Sequence, residues 1–155
     1  MKRALLTALV LGSTTFVGCS KPLVQTPEQF LRLEDLDREY DYRATSADGV
    51  VLAGRVFDYD EDRGGGLGFW VDAIKLRLSA VGGYALLAER DFKSAAGLPG
   101  KQLRFGHDEK RGTYQYWVTL FVHGDDLIVI EAGGPEAKLV AHEPGISKAL
   151  ASVDR

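Results

Sequence analysis

Between residues 67 and 132, the spacing of hydrophobic positions changes from a helical period to a strand period. Apolar residues recur at helical spacing over 67–81, and Gly82-Gly83 follows as a helix stop. From residue 84 onward the period is two, in segments 84–92, 101–107, 113–122 and 127–132, which are separated by short polar turns. Because strands joined by short turns must be mostly antiparallel, this half of the chain predicts a helix followed by an antiparallel sheet.

The flanking regions add three further predictions. Thr26-Pro27-Glu28-Gln29 has the pattern of a capping box with proline at the first helical position, which predicts a short helix over 27–37. Alternation over 40–45 and 50–57, separated by the turn sequence "SADG", predicts a β-hairpin. The tail begins with Gly133-Gly134-Pro135 and then returns to helical spacing.

These elements predict an α+β domain in the order α-β-β-α-β-β-β-β-α. Segment 127–132 is apolar on both sides, as expected of a central strand. Alternation along 113–122 sends Tyr114, Tyr116, Val118 and Leu120 to one face of the sheet, and Trp117 and Phe121 to the other. We therefore expect a mostly antiparallel sheet of about six strands between helices, an α/β/α sandwich.

The first eighteen residues have the layout of a signal peptide. Lys2 and Arg3 provide a positive start, and the mostly apolar stretch 4–17 is shorter than the roughly 20 residues of a membrane-spanning helix. Gly18 supplies a small residue at the cleavage position, and Cys19, the single cysteine of the chain, follows it. We predict a leader over 1–18, a tether over 19–26 and one folded domain over 27–155.

Phe16-Val17-Gly18-Cys19 resembles the lipobox of bacterial lipoproteins, with Phe16 in place of the usual aliphatic residue. The resemblance implies that the Cys19 sulfur receives a diacylglyceryl group, that the leader is cut before Cys19, and that the new amino group is acylated, for instance with palmitate. Several acyl chains anchor a protein stably, whereas one does not. Ser20 and Lys21 after the cysteine imply sorting to the outer membrane, facing the periplasm.

A second resemblance covers most of the remaining chain. The stretch "GLPGKQLRF", the hairpin "YQYWVTLFVHGDDLIVIEAGGPEA" and the closing helix are similar to the PsbP/DcrB superfamily. That resemblance implies a sheet enclosed by helices. Its members are mostly accessory or binding proteins, including DcrB-type lipoproteins, and they share no catalytic residues.

Charge and composition exclude several classes of function. The chain has 19 basic and 22 acidic side chains, a net charge of −3, and two of the basic ones lie in the leader. An acidic domain lacks the basic surface that nucleic acid requires, so we expect no nucleic-acid partner. A single cysteine excludes an internal disulfide framework.

Asp58, Asp60 and Asp62 are spaced like the start of a calcium-binding loop. An EF-hand loop needs glycine at its sixth position and glutamate at its twelfth, where this chain has Arg63 and Phe69. The segment is therefore interpreted as a solvated connector, with weak cation binding as the alternative.

Glu131 and Trp117 are the other candidate binding residues. Glu131 ends the apolar strand "LIVIEA", where pairing with a nearby arginine or lysine is favoured over a buried acid of raised pKa. Trp117 belongs to a group of aromatic residues that would form a binding patch if one face of the sheet were uncovered. His107, His123 and His142 lie at predicted turns, and we expect no metal site and no catalytic residue among them.

Together these features predict a non-enzymatic, lipid-anchored protein of the cell envelope. Its folded domain is expected to be an accessory or protein-binding module, with no cofactor besides the covalent lipid on Cys19. The expected partners are the membrane, through the anchor, and another envelope protein. The alternative is a periplasm-facing lipoprotein that binds a small ligand or a cation.

Overall fold

The fold is an open sheet of seven antiparallel strands with helices on both faces. In the computed structural model, residues 21–34, 39–58, 65–110 and 112–154 are described. The strands lie in the order β1-β2-β3-β7-β6-β5-β4, and every neighbouring pair is antiparallel. Their bounds are β1 Phe30–Arg32, β2 Tyr42–Ser46, β3 Val51–Asp58, β4 Ala85–Lys93, β5 Pro99–Glu109, β6 Gly112–His123 and β7 Asp126–Pro135.

Three helices lie in the described part of the chain. α1 spans Leu67–Leu76 and continues as a π-helical turn over Arg77–Val81, which ends at Gly82 as the sequence predicts. α2 spans Glu136–Ala141, and α3 spans Glu143–Ala151. Within the described residues, no helix has the length and apolar character that crossing a membrane requires.

The two faces of the sheet carry separate hydrophobic cores, as the alternation along β6 predicts. Trp117 and Phe121 pack with α2, α3 and the N-terminal segment in one core, which we call the α3-side core. Val118 and Leu120 pack under α1 in the other, the α1-side core. The predicted α+β class and the sandwich of helices about one sheet are therefore confirmed.

The predicted helix over 27–37 is wrong for residues 27–34, where strand β1 stands in its place; residues 35–37 lie outside the described part of the chain. The Thr26 hydroxyl accepts a hydrogen bond from the Tyr42 hydroxyl at 3.1 Å instead of capping a helix. After a single turn, closed by Phe30 N–H on the Pro27 carbonyl at 2.9 Å, the backbone pairs with β2. Phe30 is buried in the α3-side core, so tertiary burial overrides the local capping pattern.

The C-terminal region also differs from the prediction. Residues 133–135 extend β7, since Gly133, Gly134 and Pro135 pair with β6. The single predicted closing helix is two helices that meet at His142, where Pro144 lies in the first turn of α3. Ile146 and Leu150 of α3, and Val153 after it, are buried.

The N-terminal segment is part of the fold from residue 21 onward. Leu23 and Val24 are 8% and 0% exposed, and both belong to the α3-side core. Gln25 N–H donates to the Ser152 hydroxyl at 2.7 Å. Residues 21–26, which the sequence assigns to the tether, therefore contact the folded domain. The leader, Cys19 and Ser20 lie outside the described residues.

Candidate functional site

A groove runs between α1 and strand β3, and we call it the α1 groove. Its cavity has a volume of about 480 Å³. Its floor is apolar and comes from β6 and β7, while Trp70 and Ile74 of α1 form one wall. Polar and aromatic side chains from the start of β2 to the end of β3 form the other wall, namely Tyr40, Arg55, Phe57 and Asp58.

The sheet order explains why this groove exists. α1 packs on β5 and β6, so the face beside it, over β3 and β7, is not filled by the helix. In the β3–β7 register, Arg55 lies opposite Val129 and Phe57 opposite Leu127. Because alternate residues share a face, these side chains lie on the α1 side together with Glu131.

The groove continues along the sheet into a second cavity of about 290 Å³. Tyr40 and Glu131 line both cavities and form the boundary between them. The second cavity adds Arg43 from β2 and Tyr116 from β6. The result is an elongated depression with aromatic and charged side chains above an apolar floor.

Two arginines form the cationic wall of the groove. The guanidinium carbon of Arg55 lies 5.2 Å from the ring centroid of Tyr40 and 5.4 Å from that of Phe57. Its Nε also donates to the Glu39 carbonyl. The guanidinium carbon of Arg43 lies 5.9 Å from the same Tyr40 centroid. The two ring contacts and the backbone hydrogen bond orient Arg55 along the wall, whereas Arg43 is exposed and has the single contact with Tyr40.

Glu131 is partly buried on the floor between the two cavities. The Tyr116 side chain of β6 lies beside it and lines the same second cavity. Burial first, and then the charge of Glu131, raise the pKa of Tyr116 well above its ordinary value. Tyr116 therefore remains a neutral hydrogen-bond donor at every physiological pH.

Of the other site residues predicted from the sequence, Asp58 and Trp117 are described, and only Asp58 lines this groove. Asp58 lies at its end, opposite Asp126 in the β3–β7 register. Asp60 and Asp62, like Cys19, lie outside the described residues. Trp117 is 1% exposed in the α3-side core, so its indole is part of the protein interior.

Sequence reasoning missed Tyr40, Arg55 and Trp70 as groove residues. They lie on three separate segments that only the sheet topology brings together. Of these three residues, Arg55 could have been noticed from the sequence, because it is the one charged residue in the otherwise apolar strand "VLAGRVF".

The histidines have structural partners or lie at turns. The imidazole of His142 lies 2.9 Å from an Asp48 carboxylate oxygen and 2.8 Å from the Gln29 side-chain oxygen. His107 packs against Tyr84, with ring centroids 5.2 Å apart. Among the residues that the structure describes, no three histidine, cysteine or acidic side chains cluster as metal ligands.

Sequence comparison identifies no relative: no protein family matches the chain, and no curated protein does. Solved structures do match. LpqN, involved in cell envelope biogenesis of Mycobacterium tuberculosis, is 13% identical with a TM-score of 0.58, over 84% of this chain and 78% of that one. Cyanobacterial PsbP (CyanoP) from Synechocystis is 12% identical with a TM-score of 0.56, over 87% and 94%. A Pseudomonas aeruginosa protein of unknown function is 12% identical with a TM-score of 0.55, over 81% of each chain.

These similarities establish the fold. The chain has a PsbP-like fold, as the resemblance in the hairpin and closing helix predicts. At 12–13% identity the shared fold does not transfer a ligand or a partner from these proteins.

Proposed function

We propose that this protein is a lipid-anchored, non-enzymatic protein of the cell envelope that binds a protein partner in the α1 groove. The observation that carries the proposal is the strip of sheet beside α1 that no helix or strand of the described residues covers, with its apolar floor and its arginine wall. The envelope assignment is supported by the lipobox-like sequence ending at Cys19 and by the role of LpqN, one structural neighbour, in envelope biogenesis.

The lining of the groove favours a protein as the bound partner. Tyrosine, tryptophan and arginine are the residue types that dominate the binding energy of protein interfaces, and the groove presents Tyr40, Trp70 and Arg55. Two exposed apolar side chains enlarge this surface, since Phe57 of the wall is 41% exposed and Phe69, next to Trp70, is 57% exposed. A groove of this length and openness suits an extended segment of a partner.

Anchoring and partner binding are tested separately. A fatty-acid probe fed to cells should label the protein, and Cys19→Ser should lose the label. For binding, crosslinked wild-type protein and the double variant Arg55→Ala/Trp70→Ala are purified from membranes and compared by mass spectrometry. We expect a partner recovered with wild type to fall at least tenfold with the double variant.

The matched control is Arg90→Ala, which removes an exposed arginine on the other side of the sheet. It should recover the partner as wild type does. Equal recovery with the groove variant would contradict the groove as the binding site, and an unlabelled wild-type protein would contradict the anchor.

A small ligand is the second candidate, favoured by the size of the cavity. Its 480 Å³ fall within the roughly 300–1,000 Å³ typical of small-molecule sites. The acidic segment 58–62 would suit a cation instead. Thermal unfolding of the domain with calcium and with a panel of metabolites separates these ligands from a protein partner. Stabilisation that Trp70→Ala abolishes would support a small ligand in the groove.

A further inference from the structure

The folded domain begins only two residues after Cys19. Lys21 forms an ion pair with Asp154, which follows α3 near the end of the chain. Leu23 and Val24 are then buried in the α3-side core. If Cys19 carries lipid, as proposed above, the link between lipid and domain is therefore very short.

The length of this link limits how far Lys21 can lie from the lipidated Cys19. A fully extended chain spans about 3.3–3.6 Å per residue, so the Cα atoms of Cys19 and Lys21 are at most about 7 Å apart. The part of the domain around Lys21 and Asp154 is consequently held at the lipid–water boundary. A longer tether would leave the domain free to turn, whereas this one does not.

The contacts of α3 show which end of the sheet lies beside Lys21. Ala95 N–H donates to the Ala151 carbonyl at 2.8 Å, so the last turn of α3 contacts the β4–β5 turn. The strand registers place the β6–β7 turn and Asp58 at this same end, since Asp58 pairs with Asp126. We call it the tether end; the β5–β6 turn beyond Glu109 lies at the opposite end.

We propose that the tether end of the sheet faces the lipid bilayer and that the opposite end points away from it. This inference rests on the proposed lipidation of Cys19. β5 has 11 residues, which at about 3.3 Å per residue separates the two ends by about 33 Å. The α1 groove has Phe57 and Asp58 at the tether end, so one of its openings lies at the membrane surface.

Charge does not account for this orientation. Four acidic residues lie at the tether end beside Lys21 and Lys93, so its charge gives anionic lipid no net attraction and the short covalent link must hold this end in place. The acidic residues are Asp58, Asp125, Asp126 and Asp154. We therefore expect the orientation to persist at high salt and in neutral lipid.

The single cysteine makes a direct test possible. Because lipid occupies the Cys19 thiol, a cysteine introduced elsewhere in the full lipidated protein can be labelled selectively with a fluorophore. Ala96→Cys places the label at the tether end and Glu109→Cys places it at the opposite end, both at exposed positions. The proteins are reconstituted in phosphatidylethanolamine–phosphatidylglycerol vesicles that contain a lipid with a nitroxide on its headgroup.

We expect the label at position 96 to be quenched at least threefold more strongly than the label at position 109. Insertion of six glycine and serine residues between Ser20 and Lys21 should bring the two values together. Equal quenching at both positions without the insertion, or a difference that the insertion leaves unchanged, would overturn the proposed orientation.

Mass spectrometry of the same preparation reports acylation of Cys19. Acylated protein with equal quenching refutes the orientation and leaves the anchor intact. Protein that reaches the vesicle experiment without acyl chains refutes the anchor itself, and the orientation with it. The two failures are thereby distinguished.

Discussion

The guanidinium of Arg104 lies against the indole of Trp117, with its central carbon 3.8 Å from the ring centroid. Both side chains are buried, at 8% and 1% exposure. The guanidinium also forms a bidentate pair with Glu143, and its Nε donates to the Gln102 side-chain oxygen at 2.8 Å. This arrangement joins β5, β6 and the start of α3 in a polar contact beneath the C-terminal helices.

Glu143→Gln should destabilise the protein by about 1–3 kcal/mol, because it leaves a buried guanidinium without its counter-charge. We place the cost below that of a fully buried pair, since the Glu143 side chain is 33% exposed. Urea unfolding followed by circular dichroism measures the change. Glu109→Gln, at an exposed strand end, is the control and should shift stability by less than about 0.5 kcal/mol. Equal midpoints for wild type and Glu143→Gln would contradict this role of the pair.

The same pair should make stability depend on pH in the acid range. The hydrogen bond from Arg104 holds the pKa of Glu143 below its ordinary value of 4.5. A carboxyl group with a lowered pKa in the folded state stabilises the protein above its unfolded pKa, and this stabilisation is lost as pH falls through the folded pKa. We expect the free-energy difference between wild type and Glu143→Gln to be constant near neutral pH and to shrink below pH 4.5. A difference that is independent of pH would exclude the ion pair as its source.

Gly54→Ala should loosen the N-terminal segment. A Cβ atom at Gly54 would lie 2.7 Å from Leu23 Cδ2 and 2.8 Å from Ile130 Cδ1, and overpacking of this kind costs about 1–3 kcal/mol. The double variant Leu23→Ala/Gly54→Ala should be less destabilised than the sum of the two single changes, because one of the two clashes is removed. Urea unfolding of all four proteins gives the coupling energy. Strict additivity would show that Leu23 does not pack on this glycine.

Gly68→Ala is the control for Gly54→Ala and should stabilise the protein. Gly68 lies in the first turn of α1, and a Cβ atom added there would have open space around it, with no neighbouring atom within 4 Å. Alanine loses less backbone entropy than glycine in a helix, so we expect stabilisation by about 0.5–1 kcal/mol. A rise in the thermal midpoint measures it, whereas destabilisation would show that α1 needs the freedom of glycine at this position.

The sequence predicts most of the fold because its signals are local and repeated. Strands β4 to β7 are visible from alternation, and α1 from its apolar stripe and the glycine pair at 82–83. Strand β1 is not predictable in the same way, since only three residues form it. A local capping pattern at Thr26 suggests a helix there, but the burial of Phe30 decides the outcome.

The site is less predictable than the fold. Glu131 is noticeable as an acid at the end of an apolar strand, and it does lie in the groove. Its position beside Tyr116 depends on the pairing of β6 with β7, and the presence of Arg55 in the same groove depends on the pairing of β3 with β7. A short sequence pattern does not reveal which distant strands pair with each other.

The division of the core into two parts has a consequence for how the molecule opens. Val71 is the buried residue of α1, and an ion pair of 3.1 Å between Lys75 and Glu89 ties this helix to the sheet edge. α3 contributes Ile146, Ala149 and Leu150 to the larger core. We expect amides of α1 to exchange with solvent at a lower opening free energy than those of α3, as native-state hydrogen exchange can measure. Opening would then begin at α1, and a partner bound in the α1 groove would shift this local equilibrium without unfolding the α3-side core.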